Sequence, residues 1–392
     1  MPWKNVTPMS QRKEFVSLAL ADGANMTRLC RRFGISRKIG YKWLGRYREA
    51  GEDGLADRSR RPRHSPGATR EALVAAVLAV RAAHPAWGGR KIRARLLAQG
   101  WAEMPAASTI TAILHRQGLI DPEASAKHKA WQRFEAPGPN DLWQMDFKGH
   151  FAAAAGRCHP LTVLDDHSRY ALGLEACTDE RGVTVKARLT GIFRRYGLPR
   201  KMLMDNGSPW GSDATHPYTP LTVWLLRLGV KVGHSRPYHP QTLGKDERFH
   251  RTLKAEVLQY CQGLELDRCQ ARLDAWRLVY NLERPHEALG MAVPMSRYRE
   301  SPRSFPEAMP PLVYGPGDQV RRVQAEGWIT FKGRDFRLSK AFRGEPVALR
   351  PTVPDGQWEV YFGQHCIARI NLWDAPEPEC EDLGASPQTP GV

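Results

Sequence analysis

Along the first third of the chain, apolar residues recur every three to four positions, which places them on one side of helices. Phe15, Val16, Leu18, Ala19 and Leu20 mark a first helix over residues 10–22, ending before Gly23. A second holds Met26, Leu29 and Phe33, with Asn25 or Thr27 as its cap and Gly34 as its stop. Ser36 opens a third, in which Ile39, Trp43 and Tyr47 repeat every four residues and form the expected packing face. Helix, short glycine-containing turn, helix is the layout of a helix-turn-helix unit. The pattern returns after residue 69, with an apolar helix over 72–82, then Gly88 and Gly89 leading into RKIRARLLAQG, then ASTITAILHRQGL capped by Ser108. A second helix-turn-helix unit is expected there.

From about residue 142 the period shortens to two. LWQMDFKGHF alternates like a strand, CHPLTVLDDHSRYALGLEA reads as a hairpin, and PRKMLMDNG and VKVGHS are further short strands. VTVKARLTGIFRRYG, TPLTVWLLRLG and the end of RPYHPQTLGKDERFHRTLKAEV return to helical spacing. Three strands followed by alternating helix and strand predict a mixed α/β sheet flanked by helices, with Asp146 on its first strand and Asp205 at the end of its fourth. Beyond residue 311, six short alternating stretches separated by Gly, Pro or Asp suggest a small antiparallel β-barrel over 312–372.

The expected organisation is multidomain. Tandem all-α helix-turn-helix units occupy 1–53 and 69–120, joined by a basic linker over 54–68. A second linker spans 121–136, the α/β core runs over 137–300, and a Pro- and Arg-rich link over 294–311 leads to the barrel. Residues 373–392, acidic and Pro-rich, are expected to be disordered.

Charge changes the picture next. The 392 residues carry a formal net charge of +17, an excess that favours a polyanionic partner. Arg37, Lys38, Lys42 and Arg46 follow the first turn closely, as cations of a recognition helix in a DNA major groove would; an ordinary helical bundle with a solvated cationic face is the alternative. Arg58, Arg60, Arg61 and Arg63 lie in the basic linker and suit either a minor-groove arm or a solvated tether. The seven Cys form no CxxC and no Cys/His cluster, so reduced thiols and no structural zinc are expected. No run approaches the roughly 18 apolar residues of a membrane span, so a soluble, intracellular protein is expected.

The candidate chemistry lies in carboxylates on three separate elements: Asp146 in WQMDFKG, Asp205 in LMDNGSPW and Glu247 in GKDERFHRTLK. Oxygen ligands of this kind can hold two divalent cations about 3.5–4 Å apart, the arrangement that assists phosphoryl transfer. Asp165 and Asp166 in VLDDHSRY are rival carboxylates.

WQMDFKG, VLDDHSRY, MDNGSPW, HPQTLGKDERFHRTLKAEV and YNLERPHEALG, in this order, resemble the integrase core of the DDE transposases of bacterial insertion sequences, a group related to retroviral integrases. GLADRSRRP and the tandem helix-turn-helix region resemble that family's N-terminal half, so the likeness covers most of residues 10–300. It implies a ribonuclease-H-like core with Asp146, Asp205 and Glu247 as a catalytic, metal-binding triad. The family pattern sets its Glu two residues before Phe and five before Thr-Leu-Lys, which Glu247, Phe249 and Thr252–Lys254 match; Asp246 comes one residue early and Glu256 faces the far side of the helix. Arg251 and Lys254 share the Glu247 face and, with Lys245, could hold phosphates; intrahelical ion pairing is the plain alternative. The interval between Asp205 and Glu247 exceeds the family's commonest spacing, with residues 212–220 as the insertion. His234, Arg236, His239 and Gln241 precede the helix and suit either DNA contact or loop packing, while Asn281, Arg284, Pro285 and His286 suit a fold-closing or DNA-contacting segment.

The resemblance further implies Mg²⁺ as two ions, with Mn²⁺ as a possible substitute. The implied partners are double-stranded DNA, both element ends and target, and a second copy of the chain in a dimer or larger assembly. The implied reaction is cleavage that exposes a 3′-hydroxyl at each element end, followed by strand transfer into target DNA.

Overall fold

The computed structural model describes residues 7–58, 68–120, 135–211, 218–234 and 244–374. Arg60, Arg61, Arg63, Arg236, His239, Gln241, most of the expected linker at 121–136, residues 212–217 of the insertion and nearly all of the acidic tail lie outside the described residues. The chain divides into two compact units, residues 1–68 and 69–392.

The first unit consists of α1 (Pro8–Ala19), α2 (Met26–Arg32), α3 (Arg37–Ala50) and a closing 3-10 turn. Caps set the helix starts: Asn25 Oδ1 accepts from the Arg28 N–H at 3.1 Å and Ser36 Oγ from the Ile39 N–H at 3.3 Å. Gly34, with φ +61°, makes the turn between α2 and α3. The expected packing face of α3 is rotated from the Ile39 stripe. Gly40, Trp43 and Leu44 are buried whereas Ile39 is 41% exposed. The reason is the crossing itself: a Cβ on Gly40 would lie 2.7 Å from Cys30 Sγ and 2.9 Å from Phe15 Cζ, so α3 turns its residue without a side chain toward α1 and α2.

The second unit begins with α4 (Glu71–Ala83), α5 (Gly89–Ala98) and α6 (Ala107–Arg116). Trp87, Ile92, Leu96 and Ile110 fill their shared core, and Val279 of the central domain packs against it. Ser108 does not cap α6; Ala106 occupies that position with no side-chain bond. Arg95 reaches Glu283 at 2.6 Å and Arg90 pairs with Glu287, so cations of α5 meet carboxylates of the central domain.

The central sheet contains β1 (Trp143–Phe147), the two-residue β2 (Phe151–Ala152), β3 (Arg157–Asp165), β4 (Ala171–Cys177), β5 (Lys201–Met204) and β6 (Lys231–His234). β3 pairs antiparallel with β1, β2 and β4, while β1–β5 and β5–β6 are parallel, giving the expected mixed sheet. Alternation along β1 buries Trp143 and Met145 beneath α7 (Gly182–Tyr196) and α8 (Pro220–Arg227). The opposite face is covered by α9 (Gly244–Glu256) and α10 (Leu266–Leu282), whose Phe249, Leu253, Leu273 and Trp276 pack on Leu164 and Leu174. The expected link over 294–311 is in fact packed: Leu198 N–H donates to the Arg303 carbonyl, Arg303 donates to the carbonyls of Pro199, Leu228 and Gly229, and Phe305 stacks on Phe193.

All six expected C-terminal strands form, as β7 (Gln319–Arg322), β8 (Trp328–Phe331), β9 (Arg334–Arg337), β10 (Pro346–Pro351), β11 (Gln357–Phe362) and β12 (His365–Asn371). Their ladders give a four-stranded sheet in the order β12-β11-β10-β7 and a separate β8–β9 hairpin. Among the described residues the pairing does not close into the expected barrel. The two pieces meet instead through one core of Ile329, Phe331, Val347, Val360 and Phe362, which continues onto Val223 and Leu226 of α8. No helix among the described residues is long and apolar enough to cross a membrane.

Candidate catalytic centre

Sheet register brings the first two carboxylates together. Trp143 lies beside Met202 and Gln144 beside Leu203 in the parallel β1–β5 pair, so two residues further along both strands Asp146 stands next to Asp205. Both are half-buried. Burial, and then the charge of Asp205, push the Asp146 carboxyl up to about 6; burial also raises Asp205. Asp205 is fixed by its own turn: Oδ1 accepts from the Gly207 N–H at 3.1 Å, and its carbonyl lies 2.8 Å from Nδ1 of His234 at the end of β6.

Glu247 is the third predicted member, and the structure does not bring it into contact with the pair. Its side chain is 69% exposed on α9, with Oε1 3.6 Å from Arg251 Nη2. Among the described residues no three His, Cys, Asp or Glu side chains converge as a cation site. The residue of α9 that faces inward beside it is Asp246, 1% exposed, neither of whose oxygens has a hydrogen-bond partner among the described residues. Burial, followed by the charges of Asp146 and Asp166, raises its carboxyl well above the ordinary range.

His250, which the sequence reading passed over, does reach the pair: Nδ1 is 3.8 Å from Asp146 Oδ2, and Nε2 is 2.8 Å from Thr162 Oγ1. Its signal in the sequence was its place three residues after Glu247, one turn along the same helix.

The rival carboxylates hold the fold. Asp165 accepts from Ser168 N–H and Oγ–H and from Asn140 N–H; Asp166 accepts from Ala136 N–H and Gln144 Nε2. Lys245 lies 2.5 Å from Asp166 Oδ1, which ties the first turn of α9 to the sheet. Asn281 brackets Ala171 by donating to its carbonyl and accepting from its N–H, and Arg284 pairs with Glu256 at 3.0 Å, so that segment closes the fold.

The remaining predicted cations divide by exposure. Arg37, Lys38 and Lys42 on α3 and Arg251 and Lys254 on α9 are exposed. Lys42 and Arg46 lie 4.9 Å and 5.1 Å from the Trp43 ring centre, with Arg12 at 4.0 Å, so one buried indole carries three cations. Arg58 sits 3.8 Å from Glu49.

The donor chemistry fits a divalent cation. Asp146 and Asp205 are hard oxygen donors side by side; burial raises the cost of ionising both, and the charge of Asp205 adds to it at Asp146, which a bound cation would relieve. A pH dependence follows. A carboxyl whose folded pKa is raised contributes stability below its unfolded pKa and loses it as pH rises through the folded one, here about 6 for Asp146. In chelator the melting temperature should therefore gain less, or fall more, between pH 5 and 7 in the wild type than in Asp146→Asn, and Mg²⁺ should raise it more at pH 7 than at pH 5. Differential scanning calorimetry reads both.

Domain families match the chain in sequence order. They are a helix-turn-helix domain over residues 11–63, a homeodomain-like domain over 39–114, integrase core domains over 136–240 and 228–294, and the C-terminal domain of IS481 family transposases over 318–376. Together these matches support a bacterial insertion-sequence DDE transposase of the integrase superfamily. The chain is 28% identical over 164 residues to the insertion element IS407 uncharacterized 31.7 kDa protein of Burkholderia multivorans, covering 42% of this chain and 57% of that one. It is 29% identical over 156 residues to the insertion element IS476 uncharacterized 39.2 kDa protein of Xanthomonas euvesicatoria, covering 40% and 43%. The chain thus spans about half the length of these relatives. Among solved structures it is similar to the HTLV-2 integrase catalytic core domain in complex with magnesium, with a TM-score of 0.34, 15% identity, and 42% of this chain and 100% of that one covered. It is also similar to a simian T-cell lymphotropic virus intasome, with a TM-score of 0.37, 16% identity, and 77% and 100% covered.

Proposed function

We propose that this transposase binds the ends of its element and catalyses Mg²⁺-dependent 3′-end cleavage and strand transfer, with Asp146, Asp205 and Glu247 as the catalytic carboxylates. The observation that carries this reading is the Asp146–Asp205 pair, set in register on neighbouring parallel strands with α9 across it. Bound divalent cations supply the charge that activates an attacking oxygen and stabilises a leaving one. The chain's own part is positioning. Asp146 and Asp205 are held by strand register and by the Asp205 turn. Glu247 lies on the helix flank of His250, about 60° away at 3.6 residues per turn, so releasing Arg251 and turning its side chain carries it toward Asp146.

Arg251, once released, and Lys254 then face the phosphates of the strand being cut, and Lys245 supports them from the first turn of α9. Arg37, Lys38, Lys42 and Arg46 read the element end, with Arg58, Arg60, Arg61 and Arg63 along the adjacent groove. The units over 1–53 and 69–120 serve end recognition, 137–300 the chemistry, and 312–372 further DNA contact. Joining two ends requires at least a dimer, and a cytoplasmic, nucleoid-associated protein meets its substrate there. The full chain, given a pre-cleaved element end, target DNA and Mg²⁺, should yield joined product on a denaturing gel; cleavage of DNA with no joined product would reduce the reading to a nuclease.

A further inference from the structure

We propose that His250 is a further ligand of the cation centre, its Nδ1 lone pair sharing a divalent cation with Asp146. The inference extends the carboxylate reading above and rests on hydrogen-bond accounting around one hydroxyl. Thr162 Oγ1 donates its single proton to the Asp146 carbonyl at 2.9 Å. Its 2.8 Å contact with His250 Nε2 must then have the ring N–H as donor. A neutral imidazole with its proton on Nε2 carries a lone pair on Nδ1. Nδ1 lies 3.8 Å from Asp146 Oδ2, itself an acceptor. Two acceptors at this distance cannot hydrogen-bond directly, whereas a cation taken up between them would satisfy both.

The ring is placed for this by its surroundings. His250 is 7% exposed, so the ring is held out of bulk water. Phe249 and Leu253 anchor α9 in the core on either side of it. Thr162, paired with Asp146 in the β1–β3 ladder, locks the tautomer, the arrangement that orients ligating imidazoles generally. Nitrogen at the site also predicts selectivity: imidazole suits transition metals better than Mg²⁺, so Mn²⁺ should bind more tightly than Mg²⁺ by a margin that His250 sets.

The test is Mn²⁺ bound to the full chain without DNA, read by electron spin echo modulation. Wild type should show ¹⁴N coupling that becomes ¹⁵N coupling on uniform labelling and disappears in His250→Ala and His250→Asn. Mn²⁺ affinity should fall about ten-fold or more in both variants, with Mg²⁺ affinity changed less, and His250→Asn keeps an amide to partner Thr162 should the alanine variant fold poorly. Bound Mn²⁺ that needs Asp146, lost in Asp146→Asn, but shows no nitrogen coupling in wild type overturns the His250 assignment and leaves the carboxylate reading standing. Mn²⁺ binding unaffected by Asp146→Asn overturns both.

Discussion

Asp146→Asn is expected to lower strand transfer by about three orders of magnitude or more while the protein keeps or raises its melting temperature in chelator. Asparagine preserves the shape of the side chain and removes the charge that a cation requires. Because burial and the neighbouring Asp205 make that charge costly in the cation-free protein, its loss should not destabilise the fold. Asp205→Asn should behave in the same way, and Glu247→Gln should lose transfer with no change in melting temperature, since its side chain is exposed. A gel assay with a pre-cleaved end and a thermal scan on the same preparations measure the two quantities. Transfer near the wild-type rate in all three variants would remove the carboxylate triad from the mechanism.

Asp165→Ala should give the opposite signature. Its carboxylate is fully buried and accepts from the Ser168 N–H at 2.8 Å, the Ser168 hydroxyl at 2.5 Å and the Asn140 N–H at 2.8 Å. Removing it strands those donors in the core, a loss of about 3–5 kcal/mol by analogy with broken buried charge networks. For a unit of this size the melting temperature should fall by roughly 10 °C. Asp165→Asn, which keeps one acceptor oxygen, should lose less. An unchanged melting temperature together with weaker Mn²⁺ binding would instead assign Asp165 to the cation centre. Neighbouring motifs thus contain carboxylates of two kinds, told apart by how many N–H and O–H donors already occupy their oxygens: three on Asp165, against the single Gly207 N–H on Asp205.

Much of the fold was legible because local chemistry wrote it. Asn25 and Ser36 start helices where short acceptor side chains should, and Thr219 does the same for α8. The alternation of WQMDF gave a strand with Trp143 and Met145 on one face and Asp146 on the other. Failures occurred where a distant partner decided. Ile39 fits a helical stripe perfectly well, yet Gly40 faces the core because Phe15 and Cys30 need the space of a missing side chain. Residues 294–311 read as a linker from their prolines and arginines, but the carbonyls left at the ends of α7 and α8 accept from Arg303 and tie the segment down. Six C-terminal strands were visible one at a time, whereas their division into a sheet and a hairpin is a matter of pairing.

The sequence by itself determined the helices and strands, the cationic surface, the order of the motifs and the position of Asp146 on a strand and of Asp205 at a strand end. Those properties depend on residues close together in the chain, through helical and strand periods, capping and turn formation. Only the tertiary structure decided that Lys245 is bound to Asp166, that Asp246 is buried while Glu247 faces solvent, and that His250 Nδ1 comes within 3.8 Å of Asp146 Oδ2. These depend on which face of α9 meets the sheet, and that face is chosen by Phe249 and Leu253 packing on residues far away in the chain.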